Sequence, residues 1–374
     1  MCQRHSCTGT LTEGAGSCTL TPSLFPPGGP GPKTLTAKYN GDSNFNSGSS
    51  GPVSQTVIKA NTATTITSNT PNPSTVGLPI TVSFTVVPSP PGVGVPTGTV
   101  TVIDGTGDSC TATLSGGAGA CTMTPLTPST PGPKALVATY SGDTNFSSST
   151  SPSAAQTVLK ANTVTTITSI SPTSVVVGQP VTVSFKVTPP AGDVLTPTGT
   201  VTVTDGVGDS CAAPLSNSPP DIGIGSCSFV PSSTGPLTIT ASYPGDSNFN
   251  AGVGTNSTSG LPGLTVVDFS ISASPTTQVI SSGHTATYTL TLNSLGGFNG
   301  TVNLSCSDPQ PHTTCTVSPS SIMVGGTIQT TVTVVAAKAA AHGTFTLTFT
   351  GVYGSGSPSS GGLTHSSNAF LTIK

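Results

Sequence analysis

The heptapeptide YNGDSNF at residues 39–45 returns as YSGDTNF at 140–146 and YPGDSNF at 243–249, spacings of 101 and 103 residues. A chain that repeats at such a period is built of modules, each of which must close its own hydrophobic core. The likeness extends on both sides. Upstream, SCTGTLTEGAGSCTLTP from Ser6 matches SCTATLSGGAGACTMTP from Ser109, and a looser SCAAPLS…GSCSFVP begins at Ser210. Downstream, QTVIKANTATTITS from Gln55 matches QTVLKANTVTTITS from Gln156. A period of roughly 100 residues, with a turn signal about every 8 to 12, suits a two-sheet β-sandwich and not a solenoid of short units.

The copy at 60–159 reads as seven strands: TATTITS (62–68), ITVSFTVVP (80–88), GTVTVID (98–104), SCTATLS (109–115), GACTMT (119–124), KALVATY (134–140) and AAQTVLK (154–160). Thr and Val alternate in them, the β-branched preference of a half-buried pleated surface. NPSTVGLP between the first two reads as a turn. No segment carries helical periodicity, although the alanines of VVAAKAAAH (334–342) suit a short helical turn. The fold class is therefore all-β, in tandem sandwiches. Residues 161–266 form a further module with an insertion between its cysteines, and 267–374 a divergent one that keeps the alternation without the heptapeptide. Residues 1–58 match only the C-terminal half of a module. Six residues precede Cys7 where about fifty of the complete copy precede Cys110, so counterparts of 62–104 are missing and a truncated start is expected.

Composition narrows the function classes. Nine Lys+Arg against twelve Asp+Glu give a net charge of −3 with only 6% charged residues, so no basic face is available for nucleic acid. Gly and Pro are abundant, but strand alternation and low charge oppose disorder. A single Glu (Glu13), no Trp and five His leave little for acid/base or metal chemistry. No apolar run reaches the roughly 18 residues of a membrane helix, and MCQRHSCTGT lacks the features of a secretory signal. Neither a cofactor nor catalysis is expected.

Eight of the nine cysteines fall into close pairs: Cys7/Cys18, Cys110/Cys121, Cys211/Cys227 and Cys306/Cys315. Their spacings of 11, 11, 16 and 9 match neither zinc sites nor redox CxxC centres, and disulfides in an oxidising compartment are expected. Cys110 and Cys121 are predicted to face each other across a hairpin turning at Ser115 and Gly116, their sulfurs on the apolar side with Leu114 and Met123. The same strand parity recurs at Cys18 with Leu20 and at Cys227 with Phe229, so those sulfurs too are expected on a core face. Cys2 is left over.

Asp104 and Asp108 in DGTGD, and Asp205 and Asp209 in DGVGD, invite a calcium reading, but two carboxylates are fewer than calcium loops normally offer and Asp-Gly is a common hairpin turn. Asp42, Asp143 and Asp246 read as local caps of a turn, with Phe45, Phe146 and Phe249 returning the chain to the core. His284, His312, His342 and His365 come from separate turn-like segments without metal-ligand spacing. No GxSxG nucleophile turn occurs, and the lack of Trp opposes an aromatic sugar-binding platform.

The strings NTATTITS, PTGTVTVIDG and YSGDTNF together resemble the bacterial Ig-like repeat domain of secreted and surface proteins. The resemblance covers 60–159 well, 161–266 with an insertion and 1–58 as a fragment. The last module, with FSISASP and GGFNGTVNLSC, is similar to Ig-like accessory domains at the C-termini of large secreted bacterial proteins. The resemblance implies an extracellular or cell-surface location, no catalytic residues, and a spacer, stalk or adhesive role. Two alternatives stand beside it: the accessory segment of a larger exported peptidase or glycosidase, and a lectin-like module. A monomer, or edge pairing through residues 1–58, is expected, with no nucleic-acid partner and no membrane insertion.

Overall fold

The computed structural model describes residues 6–21, 29–126, 131–218, 222–307 and 310–374, so Cys2 lies outside the described residues. The chain forms two compact units, Met1–Ala161 with Gly192–Leu195, and Asn162–Ala191 with Thr196–Lys374.

In the first unit, β1 (Gly31–Leu35) pairs antiparallel with β4 (Val53–Val57), and β2 (Lys38–Tyr39) with β3 (Gly48–Ser49). A complete sandwich follows. One sheet is ordered β10 (Ala118–Met123), β7 (Ile80–Pro88), β5 (Thr62–Thr70). The other runs β6 (Ser74–Thr75), β13 (Ala154–Leu159), β11 (Gly132–Tyr140), β8 (Thr99–Ile103), β9 (Ser109–Thr113), with β12 (Ser149–Thr150) also on β11. Alternation decides which side chains meet between the sheets. Along β7, Ile80, Val82, Phe84 and Val86 are buried while Thr81 and Val87 face out. They pack against Val100, Val102, Leu136 and Tyr140 from the opposite sheet.

The second unit holds two more sandwiches. In one, β14 (Val164–Ser171), β16 (Val181–Thr188), β20 (Ile222–Phe229) and β19 (Ser216–Ser218) form a sheet in that order. A second sheet is ordered β18 (Ser210–Pro214), β17 (Thr200–Thr204), β22 (Thr240–Tyr243), β23 (Gly252–Thr255). The eleven-residue β24 (Leu264–Ser274) serves both sandwiches. Its first half pairs with β15 (Ser174–Val176) and β21 (Gly235–Leu237), and from Asp268 onward it pairs with β26 (Thr285–Leu295). In the last sandwich β26 continues to β30 (Thr327–Ala336) and β28 (Thr313–Ser318). Facing it is the sheet β25 (Thr277–Ile280), β32 (Leu363–Ile373), β31 (Gly343–Tyr353), β27 (Gly300–Cys306), β29 (Ser321–Val324).

Three expectations need correction here. NPSTVGLP is more than a turn: within it β6 crosses to the other sheet and pairs parallel with β13, giving the closing strand a partner. VVAAKAAAH forms no helical turn; β30 continues to Ala336 because Val332, Val334 and Ala336 alternate into the core, and a turn follows. The segments carrying Cys110 and Cys121 are not ladder partners. β9 pairs with β8 and β10 with β7, in opposite sheets, and only a Ser115–Ala118 bridge closes the turn between them.

Candidate functional site

Each YxGDxNF string folds into the same tight loop. Gly142 has φ 79°, and a Cβ there would meet the carbonyl oxygen of Phe146 at 2.9 Å, so the left-handed position demands glycine. Asp143 N–H donates to Phe146 O at 3.0 Å, while Asp143 Oδ1 accepts from the N–H groups of Asn145 and Phe146, each at 2.8 Å. This is the local cap expected from sequence. Its second oxygen does something further. Asp143 Oδ2 accepts from Thr97 N–H at 2.8 Å and Thr97 Oγ1 at 2.7 Å, and the Tyr140 hydroxyl donates to Thr97 O at 2.6 Å. The PTGT string that precedes β8 is thereby latched to the loop after β11. Asp246 repeats the latch, accepting from Thr198 N–H at 2.9 Å and Oγ1 at 2.7 Å. The start of the module also docks on this loop: Ala60 N–H donates to Asn145 O and Ser147 N–H to Ala60 O, both at 2.9 Å.

Burial opposes the charge on Asp143, but the bonds from Thr97, Asn145 and Phe146 outweigh it and hold the carboxyl below the usual carboxylate range. The same balance lowers Asp246. Burial, reinforced by the neighbouring Asp143 charge, pushes Tyr140 up to about 12.

The first copy lacks a PTGT string, and its latch is rewired. Asp42 Oδ1 still accepts from Asn44 and Phe45 N–H, but Oδ2 takes the Tyr39 hydroxyl at 2.6 Å. The backbone registers are nonetheless those of the complete copy: Gly31 opposes Val57 as Gly132 opposes Val158, and Tyr39 opposes Gly48 as Tyr140 opposes Ser149. What differs is cover. Phe45 is 69% exposed, whereas Phe146 and Phe249 are each 1% exposed, so Phe45 is not the core anchor expected of it. Leu35 is 39% and Leu11 54% exposed, against 0% for Leu136 and 9% for Leu114. The cause is that no strands corresponding to β5, β7 and β8 lie over this half-sandwich among the described residues.

All four expected disulfides are present, with Cα separations of 5.7, 5.8, 5.9 and 5.9 Å from the first pair to the last. The three in complete sandwiches staple one sheet to the other: Cys110 on β9 to Cys121 on β10, Cys211 on β18 to Cys227 on β20, Cys306 on β27 to Cys315 on β28. The Cys7–Cys18 pair corrects the parity expectation. Cys18 sits on no strand and is exposed together with Leu20, while Cys7 is half-buried, so the Cys18 side chain does not face a core as the buried Cys121 does. The reason is again cover: Cys121 lies on a strand paired to β7, whereas residues 6–20 form only the Thr12–Ala15 bridge and have no strand beside them to set a buried face. The first disulfide therefore closes a reversal in the chain and joins no sheets.

The Asp-Gly loops connect hairpins, β8 to β9 and β17 to β18. Asp104 Oδ1 accepts from Thr106, Gly107 and Asp108 N–H, its Oδ2 accepts from the Thr106 hydroxyl, and Lys134 Nζ lies 3.9 Å away, both side chains being buried. Burial raises the Asp104 pKa, but these bonds and the Lys134 charge bring it below its ordinary value. Asp108 Oδ2 accepts from Leu126 N–H at 3.1 Å, and Asp209 Oδ2 from Ser232 N–H and Oγ at 2.7 and 2.8 Å. Asp205 Oδ1 makes the same three loop bonds as Asp104, but Val207 stands in the place of Thr106 and Leu237 in that of Lys134, and its buried Oδ2 has no partner among the described residues. Among the described residues no three His, Cys, Asp or Glu side chains converge as a metal site.

The histidines remain scattered, with one correction. His365 lies on β32 and not in a turn; its Nε2 is 2.7 Å from Asp268 Oδ1 and its ring meets Phe269 edge-on at 4.9 Å. Among the described residues no helix is long and apolar enough to cross a membrane.

The family model described as "Bacterial Ig-like domain (group 3)" matches residues 66–159 and again 167–260, together half of the chain. The chain belongs to this bacterial Ig-like family. Both matched Ig-like repeats carry the latch, the Asp-Gly hairpin and the cross-sheet disulfide. No curated protein matches the chain. Among solved structures it is similar to domains 4 and 5 of the S-layer protein SbsC, with 21% identity over 38% of this chain and 67% of that one and a TM-score of 0.21. A 1.5-MDa bacterial ice-binding adhesin is 14% identical over 85% of this chain and 98% of that one, with a TM-score of 0.24. Alpha-2-macroglobulin of Escherichia coli, activated by porcine elastase, is 11% identical over 89% of this chain, with a TM-score of 0.27; the Ig-like chain spans 34% of its length.

Proposed function

We propose that this chain is a non-catalytic part of an extracellular or cell-surface protein, its Ig-like repeats acting as a spacer or adhesive array. The observation that carries the reading is where the recurrent polar motifs go. The Asp143 and Asp246 carboxylates are consumed in closing their own modules. Asp104, Asp108 and Asp209 likewise bond within their modules. Chemistry that recurs with the repeat is therefore chemistry that holds the repeat together. The cross-sheet disulfides suit an oxidising location. The unbroken β24, shared by two sandwiches, supports a stiff junction with no flexible linker at that point.

Small-angle scattering on the full chain tests the spacer. Sandwiches of about 35 to 40 Å each, from strands rising roughly 3.3 Å per residue plus loops, give an expected maximum dimension above about 100 Å, unchanged by EDTA. A compact particle overturns the spacer. A chelator-dependent length returns Asp104, Asp108, Asp205 and Asp209 as calcium ligands.

A further inference from the structure

The second and third repeats carry the same Asp-Gly hairpin but differ in how its buried carboxylate is balanced. Asp104 is 4% and Asp205 2% exposed. In each loop Oδ1 accepts from three N–H groups of the loop itself, and the aspartate N–H donates to the carbonyl of Asp108 or Asp209, at 3.1 Å in both. The ladders agree as well: Val102 opposes Cys110 as Val203 opposes Cys211, and Ile103 opposes Val137 as Thr204 opposes Thr240. The difference is at Oδ2. The second repeat supplies its own monovalent cation, the Lys134 ammonium, whose Nζ lies 3.9 Å from Asp104 Oδ2 and donates to the Thr106 hydroxyl at 3.0 Å. In the third repeat Leu237 and Val207 take those two places, and Asp205 Oδ2 has neither a hydrogen-bond partner nor an ion pair among the described residues.

We propose that Asp205 Oδ2 binds a monovalent cation of ammonium or potassium size, which takes the place that the Lys134 ammonium holds in the second repeat. A buried carboxylate without a counter-charge is costly, and a cation offsets that cost. Leu237 ends at Cδ, two atoms short of a lysine Nζ, so the third repeat keeps the carboxylate without the side chain that reaches it. Val207 stands where the Thr106 hydroxyl caps Asp104 Oδ2, and it is 55% exposed, so a turn about its χ1 opens a path from solvent. One charge is all the site asks for. Asp209 Oδ2 is already engaged by Ser232 N–H and Oγ, and no three His, Cys, Asp or Glu side chains converge among the described residues, whereas calcium wants several carboxylates together. This inference goes beyond the spacer reading and does not depend on it.

Hydrogen exchange on the full chain tests this with a built-in control, because the β8–β9 hairpin carries its own lysine. Exchange is measured in potassium chloride and in tetramethylammonium chloride, an ion too large to enter, both at about 0.15 M so that screening is equal. Potassium should slow the β17 and β18 amides about threefold or more, saturably, and leave those of β8 and β9 unchanged. Ammonium chloride should act as potassium does. Leu237→Lys, which restores the arrangement of the second repeat, should remove the dependence, as should Asp205→Asn. Equal exchange in the two salts overturns the proposal, and so does a dependence that persists in Asp205→Asn. Slowing of both hairpins alike means a general salt effect and overturns it too. Slowing by calcium chloride that EDTA reverses, with no effect of potassium, means a divalent site and is equally fatal. The contrast between the two hairpins needs no variant, so it decides the matter even if neither substituted chain folds.

Discussion

Asp143 binds Thr97 across 46 residues of sequence, accepting both its backbone N–H and its hydroxyl. The bond joins the turn that enters β8 to the turn that leaves β11, and so fixes the ends of two neighbouring strands. Bonds to a charged acceptor contribute about 1.5 to 3 kcal/mol. Thr97→Val keeps the N–H and the shape but removes the hydroxyl, and should cost about 1.5 kcal/mol. Hydrogen exchange of β8 and β11 amides in the full chain should quicken about tenfold, and Thr198→Val should do the same to β17 and β22. Unchanged exchange in both variants would show that the N–H bond alone closes the latch.

Buried carboxyls and tyrosines, those of the latch among them, set a pH profile. Asp104, Asp143 and Asp246 are held below the usual carboxylate value of 3.8, so their contribution is full above that value and is lost as pH falls through the lower folded values. Tyr140 and Tyr288, raised mainly by burial to about 12, contribute fully below pH 10.0 and lose that contribution as pH rises toward 12. Thermal melts should therefore be flat from about pH 5 to pH 9.5 and fall on both sides. A melting temperature that holds steady through pH 12 contradicts the tyrosine assignment.

Much of this was legible in sequence because the signals are local. Thr/Val alternation marks β7 and β26, and the cysteine pairs identify their own partners. The latch was not legible, since GDTNF reads as a self-sufficient capped turn and nothing local connects Thr97 to Asp143. The sheet assignment of β9 and β10 was hidden for a related reason. Gly116 and Gly117, with φ 62° and 75°, make a hairpin-like reversal whether the flanking strands pair with each other or diverge into opposite sheets. Phe45 and Cys18 failed differently: their strings nearly match those of Phe146 and Cys121, and burial depends on strands elsewhere that no local pattern reports.

The staple between β9 and β10 has a measurable consequence. Cys110 and Cys121 are 11 residues apart, and closing so short a loop contributes about 3 kcal/mol in the chain-entropy model. Replacing both with Ala should lower the stability of this module by about that amount, with the β7 and β9 amides exposed together in hydrogen exchange. Non-reducing peptide maps of the protein folded under oxidising conditions should show Cys110 joined to Cys121 and Cys306 to Cys315. Free thiols at these positions would falsify the assignment.

Asp205 offers a gain instead of a loss. Its Oδ2 is buried without a partner among the described residues, where Asp104 has the Thr106 hydroxyl. Val207→Thr rebuilds that donor two residues along the same loop. A satisfied buried acceptor is worth about 1 kcal/mol or more relative to an orphan, so chemical denaturation should shift to higher denaturant for this repeat. A loss of stability would mean that Val207 packing matters more than the orphaned oxygen.

The two copies at 31–57 and 132–158, alike in register and in the capped turn, form a controlled experiment in what a sandwich gains from its second sheet. Register, turn and cap are shared, while apolar cover is present only in the second. Burying a Leu or Phe side chain is worth about 1.5 to 3 kcal/mol, and the first copy forgoes this at Leu11, Leu35 and Phe45. It should open far more often than the second. Trypsin should cut at the exposed Lys38 well before Lys134, which is 6% exposed and faces Asp104, and the surviving core should begin near Ala60. Equal protection of Lys38 and Lys134 in a monomer would show that this half-sandwich is stable with its apolar face uncovered.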